Sequence, residues 1–397
     1  MHKRKLSRSP GKVLVIIVIA QFFCTSLWFA GNAILTDMLT HIHTGPTFVA
    51  PLTSAVQFGF ICGTLVFALL TVTDRYSPSL VFFLSAVIAA LFNLAVAING
   101  NTVIVILFFR FLTGFFLAGI YPVGLKIASD YYQKGLGKSL GFLVGALVVG
   151  TAFPHLLKSF TIGLPWKYVI YATSILSVLG GLTLFLSVPD GPFRKPGQQL
   201  KITAFLSGFR NRKFRSAALG YFGHMWELYA FWAFVPLMLK TYNDHFPETR
   251  LNIPFLSFTI IASGGLACVF SGLLSQKWNP KKIATISLSL SCLCCIFSPL
   301  FLFSRFVSVL LPFLFFWGLV VIADSPLFST LIAQNAPEES RGTSLTIVNC
   351  IGFAITIVSI QISSALSAKI NGQYIYLFLA IGPLLGIMAL LKKPKSL

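Results

Sequence analysis

Long apolar runs recur along the chain, each bounded by a short polar or basic connection. A helix needs roughly 20 consecutive apolar residues to cross a hydrocarbon core. Runs of about that length fall near 13–35, 48–72, 79–99, 102–128, 137–158 and 166–188. They resume near 214–239, 252–274, 281–303, 306–332, 342–367 and 373–391. The pattern predicts an all-α membrane protein with twelve transmembrane helices. The predicted division is an N-terminal six-helix bundle over 1–188, a cytoplasmic linker over 189–213 and a C-terminal six-helix bundle over 214–397.

Landmarks in the two halves align in order. Asp74-Arg75 corresponds to Gln276-Lys277 at an offset of 202, and Gly114 and Pro122 to Gly318 and Pro326 at 204. Lys134-Gly135 and Gly145 correspond to Arg341-Gly342 and Gly352 at 207. A parallel repeat of this kind implies a pseudo-two-fold axis along the membrane normal, with a binding site between the halves near the midplane.

Composition supports lipid as the solvent. Hydrophobic residues make up 56% of the 397 and charged ones 10%, with a mean hydropathy of +0.84. Soluble domains carry roughly 25% charged residues. The net charge of +20 lies in clusters between apolar runs, which argues against a nucleic-acid partner. Placing the N-terminus in the cytoplasm puts 23 of the 30 basic residues inside, 6 outside and Arg110 within a span. Both termini are therefore predicted to be cytoplasmic, in the cell (inner) membrane. The first run follows a basic tail but is too long for a cleaved signal and is read as a retained helix. The linker carries Arg210-Asn211-Arg212-Lys213 and is either an amphipathic segment on the anionic leaflet or a solvated connector. All seven cysteines fall in apolar runs, and Cys292, Cys294 and Cys295 diverge around a helix, so they are read as packing residues. No phosphate-binding loop, metal-ligand cluster or nucleophile–base pair is visible, so no cofactor, no metal and no enzymatic activity are expected.

Ionisable residues within spans are costly, roughly 2.5–3.5 kcal/mol each on insertion scales. They are Arg110, His155, His224, Glu227 and Asp324. His224 and Glu227 are three apart on one helix face, with Tyr221 a further turn back. They are either a proton-coupling site or a polar pair that pins the seventh span to a neighbour. Asp324, before Ser325-Pro326, is a second proton site or an acceptor for backbone freed by the proline. Arg110 would bind an anionic substrate group or neutralise an acid from the seventh span. His155 is a substrate contact or a packing histidine. Trp28, Asn32, Gln57, Tyr121 and Trp226 complete the substrate-binding candidates, as amides and amphipathic aromatics able to orient a small solute. Lys126 and Asp130 sit near a helix end, where snorkelling accounts for them.

Over essentially its full length the chain resembles the major facilitator superfamily. Leu70-Thr-Val-Thr-Asp74-Arg75-Tyr-Ser77-Pro-Ser is similar to that family's G-x-L-x-D-R-x-G-R-R loop, with Asp74 and Arg75 retained and the glycines lost. Arg110-Phe-Leu-Thr-Gly114 is similar to its R-x-x-x-G signature. The antiporter signature is matched only by Gly141, Gly145 and Gly150. The resemblance implies a secondary transporter working by alternating access. Asp74 and Arg75 are read as a conformational latch, acting by charge–dipole attraction to a helix end, or as a plain loop ion pair.

The expected function is proton-coupled symport of a small polar or anionic metabolite, with protons, the solute and the lipid bilayer as partners and a monomer as the working unit. Proton-driven efflux of amphiphilic compounds is the alternative from the same class. A non-transporting receptor or scaffold on a carrier fold is the alternative from another.

Overall fold

The computed structural model describes residues 10–42, 44–132, 136–194, 206, 208–337 and 341–392. Among these residues the regular elements are α- and 3₁₀-helices, with no strand. That follows from the solvent: a segment in hydrocarbon must satisfy its backbone polar groups within itself. The first six predicted segments give α1 (Pro10–Thr25), α2 (Ala30–Ala33), α3 (Leu35–Ile42), α4 (Val49–Leu69), α5 (Val72–Arg75), α6 (Pro78–Ala95), α7 (Val103–Leu117), α8 (Tyr121–Tyr131), α9 (Leu136–Phe160) and α10 (Lys167–Ser187). The last six give α11 (Arg212–His245), α12 (Ile253–Leu274), α13 (Pro280–Phe301), α14 (Val307–Val320), α15 (Ser325–Asn335), α16 (Arg341–Ser367), a 3₁₀ turn (Ile375–Ala380) and α17 (Ile381–Leu391). Nine of the described helices are long and apolar enough to cross a membrane, counting α7–α8 and α14–α15 as one each. The first and last predicted segments are shorter apolar helices, Gly11–Thr25 and Ile375–Leu391. The 34-residue α11 is more polar.

Three predicted spans are broken. The fourth and tenth break at matching places, just before Pro122 and Pro326. A proline lacks an N–H and its ring crowds the carbonyl four residues back. The chain there falls into i→i−3 bonds, from Gly119 N to Phe116 O (2.9 Å) and from Ser325 N to Ile322 O (3.0 Å). The first span breaks at 26–29 with no proline, and a side chain described below satisfies the carbonyls freed there. Asn211 caps α11 by accepting from Lys213 N at 2.9 Å, so the basic run predicted as linker is partly its first turn. Residues 195–205 and 207, with Lys134 and Gly135, lie outside the described part.

Glycines set the closest helix approaches. A Cβ at Gly114 would lie 1.9 Å from the Val56 carbonyl, and one at Gly59 1.9 Å from that of Phe111, so α4 and α7 touch backbone to backbone. Between the N-terminal and C-terminal segments, Gly141 and Gly145 of α9 meet Cys268 and Gly265 of α12 in the same way. The second seam joins α4 to α16 at the predicted outer end, where Gln361 Nε2 donates to Ser54 Oγ (3.0 Å) and Ser364 Oγ to Thr47 O (3.3 Å). Gly114→Ala is expected to force α4 and α7 apart at a cost of about 1–3 kcal/mol. The check is thermal unfolding in detergent: the midpoint should fall, and an unchanged one would contradict this packing.

Candidate functional site

Glycines at 220 and 223 let α11 lie against Phe328 of α15 and Gly382 of α17, and this fixes its acidic face towards α13–α15. His224 and Asp324 are each 1% exposed, with Nδ1 2.8 Å from Oδ1, an ion pair when the imidazole is protonated. Asp324 Oδ2 and His224 Nε2 have no hydrogen-bond partner among the described residues. Glu227, a turn further along α11 and equally buried, accepts from Ser291 Oγ at 2.5 Å and from Trp317 Nε1 at 2.6 Å. Each of these contacts ties the seventh span to a neighbour. The two residues share a face, but His224 pairs with α15's approach and Glu227 with α13 and α14. Asp324 ends the turn 321–324, where Ile322 packs on Gly264 and its carbonyl accepts from Cys268 Sγ at 3.5 Å. The acid therefore stands at a backbone break that abuts the α9–α12 seam. Ser291 and Trp317 were not legible as site residues, because a serine and a tryptophan in apolar runs carry no distinguishing pattern.

Arg110 is fully buried and hydrogen-bonds to neutral groups. Its Nη1 donates to Asn93 Oδ1 (2.9 Å), and its Nη2 to the carbonyls of Leu27 (3.0 Å) and Trp28 (2.6 Å). The expectation that it neutralises an acid of the seventh span is corrected: Glu227 has neutral donors, and Arg110 has no carboxylate at ion-pair distance among the described residues. The guanidinium satisfies the two carbonyls freed where α1 stops, and so stabilises the break in the first span. Asn93 continues the chain of bonds to Thr173 Oγ1 (3.2 Å) and Ser174 Oγ (2.9 Å) of α10.

The broken turn delivers Trp28 and Phe29 to an aromatic cluster between the N-terminal and C-terminal segments. Trp28 lies 4.9 Å from Phe60, 5.9 Å from Tyr229 and 5.6 Å from Phe353, and Tyr229 lies 5.1 Å from Trp232. Buried polar atoms without partners among the described residues include Trp28 Nε1 in the cluster itself, Asn32 Oδ1 four residues after Trp28, both amide atoms of Gln57 three residues before Phe60, and His155 Nε2 on α9. Asn32 does donate to Thr53 Oγ1 at 2.7 Å, one turn before Gln57 on α4. Tyr121 opens α8, and Tyr221 packs on Gly352 of α16, 6.0 Å from the His224 ring. Trp226 is drawn instead towards α17, donating to Phe378 O at 3.4 Å and covering Gly382.

At the predicted cytoplasmic end Asp74 pairs with Lys126, and Arg75 Nε donates to Thr71 Oγ1 at 3.2 Å. Both contacts stay within the N-terminal segments, and the Asp74 contact holds a loop to α8. Lys126 does more than snorkel. Two residues overlooked in the sequence complete the cluster: Arg194 donates to the carbonyls of Asp74 (3.1 Å) and Tyr76 (2.8 Å), and Asp190 accepts from Ser77 Oγ (2.6 Å). The run Pro189–Arg194 is thereby stapled to the loop after α4. If Arg110 is a clasp, Arg110→Gln and Asn93→Ala should each destabilise the protein by roughly 1.5–3 kcal/mol, as for hydrogen bonds to a charged group. Thermal unfolding without any solute is the check, and full stability in both variants would return Arg110 to the substrate candidates.

The fold is shared with known proteins. A crystal structure of the human organic anion transporter MFSD10 (TETRAN) superposes with a TM-score of 0.72 at 12% identity, covering 97% of this chain and 100% of that one. A protein of Oryza sativa subsp. japonica, named as an inorganic phosphate transporter (1-13), is 24% identical over 205 residues. That match covers 45% of this chain and 40% of the relative's length. The sequence profile of the Major Facilitator Superfamily matches residues 17–360. The chain is a multi-pass membrane protein and belongs to the Major Facilitator Superfamily of transporters.

Proposed function

We propose that the protein is a proton-coupled symporter of a small hydrogen-bonding solute, and that its two six-helix bundles, 1–188 and 214–397, rock about the α9–α12 and α4–α16 seams. The observation that carries the coupling is the buried His224–Asp324 pair at the break in the tenth span. A proton added to a fully desolvated imidazole–carboxylate pair changes its net charge where no water can screen it, and a charge change at a bistable backbone element biases its conformation. Glu227, on the same face of α11, is the acid that exchanges protons with that pair. The solute lies at the aromatic cluster, its polar groups meeting the unpartnered atoms of Trp28, Asn32, Gln57 and His155. The cytoplasmic cluster of Asp74, Lys126, Asp190 and Arg194 fixes one end of the N-terminal bundle during this movement.

A second reading, an anionic solute, is favoured by the relatives named for phosphate and organic anions. A buried guanidinium without a carboxylate partner also raises the potential beside Trp28. In this reading Arg110 acts through its field and leaves its hydrogen bonds in place.

The test is reconstitution in liposomes with an imposed pH gradient, an internal pH dye and a panel of labelled neutral and anionic solutes. A transported solute should carry protons with it. Glu227→Gln and Asp324→Asn should each abolish gradient-driven accumulation, while solute exchange at equal pH stays within about tenfold of the parent, a change of ~1.4 kcal/mol in barrier. Accumulation that survives both substitutions would sink the coupling assignment. A solute moved without protons would sink symport.

A further inference from the structure

The two halves treat one loop in opposite ways. After α4, the acid Asp74 is neutralised by Lys126. After α12, the corresponding loop has Gln276 in place of the acid, and the offset of 204 that relates Pro122 to Pro326 puts Thr330 opposite Lys126. Thr330 turns its hydroxyl back to the Pro326 carbonyl of its own helix at 2.8 Å. Both members of the ion pair have thus become neutral, yet the cations of the loop remain: Lys277, Lys281 and Lys282. All three are exposed, and among the described residues none has a carboxylate at ion-pair distance.

Local structure concentrates this charge. Asn279 caps α13 by accepting from Lys281 N at 2.9 Å, and the first turn that follows holds two lysines and no acid. The amide dipoles of a helix already present positive charge at that end, so cations there repel it and an external anion is attracted. Trp278, between the lysines in sequence, is 58% exposed, an indole where a soluble loop would place a polar residue. Tryptophan favours the headgroup level of a membrane, and lysines near an anionic leaflet gain electrostatic energy from it. The loop faces the side that the distribution of basic residues assigns to the cytoplasm.

We propose that the loop joining α12 and α13 binds anionic phospholipid headgroups through Lys277, Lys281 and Lys282, with Trp278 seated among them. The C-terminal half thereby takes from the lipid the negative charge that Asp74 supplies in the N-terminal half. The site is independent of the transported solute and of the coupling mechanism.

The experiment places the purified full chain in phosphatidylcholine nanodiscs doped with brominated phosphatidylglycerol or, at equal mole fraction, brominated phosphatidylcholine. Tryptophan quenching is then compared between the two. Quenching by the anionic lipid should exceed that by the neutral one, and the excess should vanish in Trp278→Phe and shrink as salt is raised. Each single Lys→Gln change should lower the enrichment by up to about fivefold, and the triple change should abolish it. A control, Arg250→Gln/Arg305→Gln/Lys369→Gln, removes the same charge from the opposite end and should leave the excess intact. Equal quenching by the two lipids would overturn the proposal, as would an excess that survives the triple lysine change. Loss of the excess in the control would also overturn it, by showing an effect of net charge alone.

Discussion

A polar group inside a bilayer must find its partner within the protein, because no water is there to supply one. Much of this structure follows from that constraint. Intact helices close their own backbone bonds, and each of the three breaks calls for a specific remedy. At 118–120 and 321–324 the chain tightens into i→i−3 bonds ahead of a proline. At 26–29 the remedy comes from another helix, when Arg110 takes the carbonyls of Leu27 and Trp28. A charged residue is thus spent on the backbone, and in return Trp28 is held at the interface between the halves.

The same constraint shapes the two halves with different chemistry. In the first, a cation on α7 links the end of α1 to Asn93 on α6. In the second, a carboxyl group on α11 links Ser291 on α13 to Trp317 on α14. Helices at equivalent places in the repeat are therefore tied by buried clasps, one built on a guanidinium and the other on a carboxyl group. The difference lies in His224 and Asp324, which have no counterpart clasp and sit where the tenth span is broken. At Gly141, Gly145 and Gly265 the facing backbones of α9 and α12 come close, with Val149 and Val269 packed against the glycines of the opposite helix.

Apolar run length was enough to read the helical class and the segment order, since each run reports its own solvent. The repeat was legible in Gly114, Pro122, Gly318 and Pro326 because close approach and helix breaking need those residue types. Partners were not legible. Arg110 read as a substrate or acid-binding residue, because nothing local shows that α1 stops at Thr25 and offers two carbonyls. Likewise His224 and Glu227 share a face, but which neighbour each meets depends on how α13, α14 and α15 pack around α11. Arg194 and Asp190 escaped notice because a proline-rich connection gives no sign of the loop 120 residues earlier to which it binds.

The proposed cycle requires two rigid halves that close the outer and inner ends in turn. Gly45 and Ala368 lie across a cavity of about 420 Å³ at the predicted outer end, in a region bridged by Ser364 and Thr47. Spin labels at Gly45→Cys and Ala368→Cys in liposomes report their separation directly by pulsed electron resonance. Two distance populations are expected, a short one matching this structure and a longer one whose share changes with pH and with Asp324→Asn. A single short distance at every pH, unchanged by that substitution, would contradict the account.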